Sequence, residues 1–284
     1  MENYREKQAT FTGQKGCKIF FRMFEAPDER ARMVIAHGLG EHSGRYKNLV
    51  EQLVPMGISL WIPDFRGHGK SQGKRGHVLS FNEYVADLTG MLEMAHQGKP
   101  DNKKMFLLGH SMGGIIALTL AQGSHKMIDG LIVSSPLIGM VIDVPLLKKL
   151  MGKVMSFLYP GLSLKNELDP SKISKDGDVV KAYIDDTMVH SRVSARWFTE
   201  TMAAMEGIRT SMSGLEIPFL MQLAGDDYLV KTASSRTFFK RLKARDKTLY
   251  EYKELYHEIY NAPNDQRAKV LRDLTTWLDA HMLQ

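Results

Sequence analysis

Residues 105–121 read Met105-Phe106-Leu107-Leu108-Gly109-His110-Ser111-Met112-Gly113-Gly114-Ile115-Ile116-Ala117-Leu118-Thr119-Leu120-Ala121, and this stretch decides the fold. Its apolar opening predicts a buried strand, its G-x-S-x-G centre a sharp turn, and its apolar close a buried helix. A serine at such an elbow sits in a strained conformation with φ > 0, and glycines on either side keep Cβ atoms out of the crowded strand and helix. The 21 residues 105–125 contain no Asp, Glu, Lys or Arg, enough on length alone to span a bilayer. Polar and helix-weakening residues at its centre favour strand, turn and helix instead.

Outward from the elbow, short apolar runs alternate with longer helical patterns, the mark of βαβ units and a mostly parallel sheet. Strands are predicted at Lys18–Phe24, Arg32–Ala36, Ile58–Ile62, Lys104–Leu108, Gly130–Ser134, Phe219–Leu223 and Thr248–Tyr252. The turn-like Pro27-Asp28-Glu29-Arg30 suggests that the first two form an antiparallel hairpin. Helices are predicted at Tyr46–Leu53, Phe81–His96, Met112–Ala121, Thr232–Ala244 and Gln266–His281. From Ile138 to Gly214 the alternation stops: 77 residues are dominated by helical patterns with no convincing strand. Residues 1–137 and 215–284 therefore read as one body, and 138–214 as a helical insertion.

The chain has 284 residues, 43% hydrophobic and 25% charged, so disorder, collagen and coiled coil are excluded. One cysteine, Cys17, excludes an internal disulfide framework and a cysteine-rich metal site. The net charge of +6 comes without a basic tract or a zinc or RNP-type motif, so no nucleic-acid partner is expected. Met1–Lys7 mixes both signs and no apolar run follows it, so a secretory signal is not expected either. A cytoplasmic location, with peripheral contact to a membrane, fits these features.

Serine is a poor nucleophile at neutral pH and needs a histidine base held by a carboxylate, in chain order serine, acid, histidine. Of the ten histidines, only His257 falls between the last predicted strand and the final helix. For the acid, the loop Gly225-Asp226-Asp227-Tyr228-Leu229-Val230 offers two candidates. Asp227 is preferred because the acid in such loops precedes one residue and then an apolar pair; Asp226 stays the alternative. Two backbone N–H groups must also meet the developing oxyanion. Met112 supplies one, and Leu39, between Gly38 and Gly40, the other. His37 reads as a buried turn histidine, His68 as a loop-packing residue, and Lys74 and Arg75 as a solvated loop. No metal or cofactor is needed.

The strings His37-Gly38-Leu39-Gly40-Glu41-His42-Ser43-Gly44-Arg45-Tyr46, Asp64-Phe65-Arg66-Gly67-His68-Gly69-Lys70-Ser71 and Gly109–Gly114 resemble the monoacylglycerol lipase and lysophospholipase branch of the serine α/β-hydrolases. The likeness takes in the Gly225–Val230 and His257 loops and so spans nearly the whole chain outside the insertion. It implies an α/β-hydrolase fold with a mobile helical cap, acting on a small lipid ester with one acyl chain and a polar head. It also implies that Glu41 and Arg45 lie near the head-group end of the pocket, and that Tyr183 is a cap tyrosine with a similar role. The spacing of the glycine in the acid loop departs from that of relatives, which keeps Asp226 open.

Within the insertion, Leu147, Leu150, Met151, Val154, Met155 and Leu158 share one helical face, opposite Lys148, Lys149, Lys153 and Ser156. Such a helix buries its apolar face against the body, or lies transiently on an anionic bilayer, or does each in turn as the cap opens. Arg192–Phe198 and Met202, Met205 and Met212 continue the helical pattern and suggest an adaptable lining for an acyl chain. The reading is a serine hydrolase acting on monoacylglycerols. Its rivals are a lysophospholipase, a general carboxylesterase, an aminopeptidase, and a non-catalytic binding protein on the same scaffold. Oligomeric state is not legible.

Overall fold

The computed structural model describes residues 4–142, 145–166, 168–212 and 214–282. In chain order the elements are β1 (Arg5–Thr12), β2 (Lys18–Glu25), β3 (Ala31–Ala36), α1 (Lys47–Leu53), β4 (Ile58–Pro63), α2 (Asn82–His96), β5 (Lys104–His110), α3 (Met112–Ser124) and β6 (Gly130–Ser134). There follow α4 (Leu146–Leu158), β7 (Ser163–Lys165), α5 (Gly177–Asp185), β8 (Arg192–Ser194), α6 (Ala195–Ser211), β9 (Gly214–Leu215), β10 (Phe219–Ala224), α7 (Thr232–Arg241), β11 (Lys243–Ala244), β12 (Lys247–Tyr252) and α8 (Asn264–Met282).

The main sheet runs β1-β2-β4-β3-β5-β6-β10-β12. From β4 to β12 neighbouring strands are parallel, while β2 is antiparallel to both β1 and β4. Each inner strand is apolar on both faces because each face is covered. In β5, Met105 and Leu107 enter the core shared with α2, α3 and α6, whereas Phe106 and Leu108 enter the core shared with α1 and α8. The same split divides Leu131 and Val133 from Ile132 in β6, which is why these strands read as unbroken apolar runs.

Three expectations are corrected. The strands around Pro27–Arg30 do not pair with each other: β4 lies between them, and the hairpin at this edge is β1 with β2. The predicted strandless insertion contains a short antiparallel pair, Ser163–Lys165 with Arg192–Ser194. Arg192–Ser194 is therefore strand, not helix; Ser194 then caps α6 by accepting the Trp197 N–H. Finally, α7 stops at Arg241, because Lys243–Ala244 pairs with Gly214–Leu215.

Helix α4 also departs from expectation. Its apolar face is not buried against the body: Leu147 is 69% exposed and Phe157 80%, and Leu150, Met151, Val154 and Leu158 are exposed as well. The edge that meets α6 is small and polar. Gly152 packs at Phe198, the Ser156 hydroxyl lies 2.7 Å from that of Thr199, and Arg196 donates to the Ser156 carbonyl. Met205 and Met212, by contrast, are ordinary core residues, each 1% exposed.

Candidate active site

Ser111 stands between β5 and α3 with φ of 53°, a left-handed conformation that a non-glycine residue adopts only under constraint from its surroundings. Those surroundings are backbone. A Cβ on Gly113 would lie 2.0 Å from the Ala36 carbonyl oxygen, and one on Gly109 would lie 2.4 Å from the Gly113 oxygen. The Ser111 N–H donates to the Ser134 carbonyl, and its own carbonyl receives the Gly114 and Leu137 N–H groups. The serine is thereby fixed at the carboxyl end of the sheet. Met112 opens α3, so its N–H has no acceptor within the helix.

The loop after β3 packs directly on Ser111: a Cβ on Gly38 would be 3.2 Å from the serine Cβ. Glu41 shapes this loop. Its buried carboxylate accepts from the Gly38 N–H and, at 2.8 Å, from the Tyr46 hydroxyl. Leu39, between Gly38 and Gly40, is half-buried and packs against the core. His37 is fully buried and satisfied: its Nε2 accepts from the Phe65 N–H, so Nδ1 carries the proton and donates to the Gly38 carbonyl. Burial keeps it neutral.

His257 follows β12 and donates from Nδ1 to Asp227 Oδ2 at 2.7 Å. That bond fixes the tautomer with a lone pair on Nε2, the form a general base requires. Asp227 is buried, and its other oxygen accepts from the Leu229 and Val230 N–H groups at 2.8 and 2.9 Å. The apolar pair after the acid thus turns its own backbone onto the carboxylate. Burial pushes the Asp227 pKa up, but His257 and these donors outweigh it and hold the group below its ordinary value. For His257, burial opposes the charged form, yet Asp227, then Glu258 and Glu41, win and raise its pKa. Asp226 points elsewhere, 3.7 Å from the Lys175 ammonium.

Arg45 does not present a free guanidinium. Its Nη2 lies 2.9 and 2.6 Å from the two oxygens of Glu258, its Nε is 3.5 Å from Glu41, and its plane covers the Tyr183 ring at 4.7 Å. Glu258 and His110 are site residues that sequence reading missed. Glu258 follows His257 directly, but its partner is 213 residues away and no local pattern announces the pair. His110, next to the serine, sits with its ring 4.8 Å from that of His257, and burial lowers its pKa to about 4.

His68 is buried in loop packing, donating to the Arg66 carbonyl with its ring against His37 and His190. Lys74 is not merely solvated, since it donates to the Gly161 carbonyl of the insertion at 2.6 Å. Arg75 is half-buried and donates to the Gly69 carbonyl.

A strained serine at the end of a central parallel strand, with a histidine–carboxylate pair on the loops that follow, defines an α/β-hydrolase-fold serine hydrolase. Residues 27–264 match the family model described as serine aminopeptidase, S33, and the chain belongs to that family. It is 30% identical to the monoacylglycerol lipase of Mycolicibacterium smegmatis, over 99% of this chain and all of that one. It is 32% identical to the phospholipase YtpA of Bacillus subtilis, over 89% and 96% of the two chains. Among solved structures, the monoacylglycerol lipase of Paleococcus ferrophilus superposes with a TM-score of 0.85 at 36% identity, covering 93% of this chain and 99% of that one.

Proposed function

We propose that this enzyme hydrolyses monoacylglycerols to glycerol and a fatty acid through Ser111, His257 and Asp227. The observation that carries the reading is the 2.7 Å bond from His257 Nδ1 to Asp227, on a loop beside a serine held at positive φ. In this scheme His257 Nε2 takes the Ser111 proton as Oγ attacks the ester carbonyl. The Leu39 and Met112 N–H groups receive the oxyanion. The tetrahedral intermediate collapses, His257 returns the proton to the departing glycerol oxygen, and the acyl chain stays on Ser111. Water, deprotonated by the same histidine, then releases the fatty acid and restores the serine.

Residues 138–214 act as a cap over this site, carried on the body formed by 1–137 and 215–284. The exposed apolar residues of α4, together with Lys148, Lys149 and Lys153, meet the surface of an anionic bilayer, where the substrate resides. Among the described residues no helix is long and apolar enough to cross a membrane, so such contact would be peripheral. A phospholipase among the relatives supports a second reading, lysophospholipid hydrolysis by the same residues. A turnover panel of short- to long-chain monoacylglycerols, lysophospholipids and amino-acid amides tests the assignment. A preference for monoacylglycerols that varies with chain length supports it; flat activity across chain length indicates a general esterase, and amide preference a peptidase.

A further inference from the structure

The oxyanion donor expected at Leu39 belongs to the peptide unit that joins Gly38 to Leu39, and this unit is held by its other end. Its carbonyl oxygen, on Gly38, accepts from His37 Nδ1 at 2.7 Å. In a planar trans peptide the N–H and C=O point to opposite sides, so the bond that fixes the carbonyl also fixes the direction of the Leu39 N–H.

His37 is in turn packed by two further rings. His68, fully buried, lies with its ring 5.2 Å from that of His37, and the His190 ring lies 4.8 Å from that of His68. Burial lowers the pKa of all three, that of His190 to about 4, so the column stays neutral and carries no repulsion between its members. His190 ends the column and is the member that comes from the insertion. Both of its ring nitrogens are engaged: Nε2 donates to the Gly67 carbonyl at 3.1 Å, and Nδ1 accepts the Arg192 N–H at 3.2 Å.

The backbone of His190 meets the same loop on the other side of Leu39. Its N–H donates to the Gly40 carbonyl at 2.9 Å. Gly40 has φ of 79°, and a Cβ there would lie 2.3 Å from the His190 carbonyl oxygen, so only glycine lets the two segments touch. Two residues further on, His42 Nε2 donates to one oxygen of Asp186 at 2.8 Å, while the other accepts the Met188 N–H and shapes the turn that leads to His190. The insertion thus grips the loop that carries Leu39.

We propose that His190 is a positioning residue for catalysis: through the His68 and His37 rings on one side of Leu39 and the Gly40 carbonyl on the other, it holds the Gly38–Leu39 peptide with its N–H toward the oxyanion. This rests on the reading of Ser111 as the nucleophile and Leu39 as an oxyanion donor. It gives the insertion a part in the chemistry beyond covering the site.

The test uses the full chain, with 1-octanoylglycerol as substrate and an octyl trifluoromethyl ketone as inhibitor. Ser111 Oγ adds to the ketone carbon, its proton passes to His257 Nε2, and the carbonyl oxygen becomes an oxyanion that needs the same donors as the transition state. In His190→Ala, kcat is expected to fall by about tenfold with KM within about twofold, less than the loss of a whole donor because the N–H is misdirected rather than removed. Affinity for the ketone should fall by the same factor as kcat/KM, and the acidic limb of the pH profile, which reads His257, should not move. His190→Gln, whose amide can still donate to the Gly67 carbonyl, should recover kcat to within about threefold of wild type. If His190→Ala does not fold, as judged by its thermal melt, His190→Phe keeps the ring against His68, loses the bond to Gly67 and is read in the same way.

A kcat within about twofold of wild type in the folded variant overturns the proposal, as does a loss confined to KM or a ketone affinity that does not follow kcat/KM. Each of those results leaves the hydrolase reading intact. A wild type that neither turns over the ester nor is labelled at Ser111 overturns the hydrolase reading, and this role with it.

Discussion

The guanidinium of Arg45 and the carboxylate of Glu258 meet at 2.6 Å, tying the loop after β3 to the residue that follows the base. Glu258 also holds its own loop to the insertion, its N–H donating to the Ile173 carbonyl at 2.8 Å. One residue thus joins the loop after β3, the His257 loop and the proposed cap. Its negative charge acts on His257 as well, and this gives the first prediction. The base must be neutral to accept the Ser111 proton, so kcat/KM falls as pH drops through the His257 pKa. Glu258 favours the imidazolium and helps raise that pKa. Glu258→Gln should therefore move the acidic limb of the profile to lower pH. A pH–rate profile on a short soluble ester checks the sign, and a limb moving upward would contradict it.

The acid is the second case. Asp227→Asn removes the acceptor that fixes the His257 tautomer and should lower kcat by about 10⁴-fold, as such changes do in serine proteases. Asp226→Asn changes a partly exposed carboxylate that meets Lys175 and Tyr228 and should leave kcat within about threefold. Initial rates of the two variants settle which carboxylate serves the base.

The third prediction concerns the elbow. In Gly113→Ala the new methyl would press on the Ala36 and His37 carbonyls, both backbone atoms of the loop that should carry the oxyanion N–H. Neither can rotate away. A loss of about 3 kcal/mol or more is expected, visible as a lower Tm in thermal melts.

Helix α4 supplies the fourth. Replacing Leu147, Leu150 and Phe157 together with serine removes exposed apolar surface and disturbs none of the hydrogen bonds to α6. Partition to phosphatidylglycerol vesicles should weaken by about tenfold or more, while turnover of a soluble short-chain ester stays within about twofold. Unchanged sedimentation with vesicles would remove the membrane role.

These predictions draw unequally on sequence and structure. The inner strands were legible because burial on both faces leaves unbroken apolar runs such as Met105–Leu108. Strand β1 was not: Arg-Glu-Lys-Gln-Ala-Thr-Phe-Thr is an edge strand, mostly exposed, and carries no apolar alternation. Missing it led directly to the wrong hairpin, since the true partner of β2 was invisible. Ser111 and His257 could be found from local pattern and chain order. The Arg45–Glu258 pair could not, because it is made by tertiary folding between distant loops. Helix α4 was found, but its orientation depended on which edge fits α6, and Gly152 and Ser156 decide that against the apolar stripe.

Ser111 is the proposed nucleophile, and active-site labelling shows whether it reacts. The full-length protein is treated with a fluorophosphonate, digested, and mapped by mass spectrometry. One adduct is expected, on Ser111, formed in step with the loss of esterase activity and absent from Ser111→Ala, which should itself be inactive. Labelling of another serine, or full esterase activity in Ser111→Ala, would contradict it.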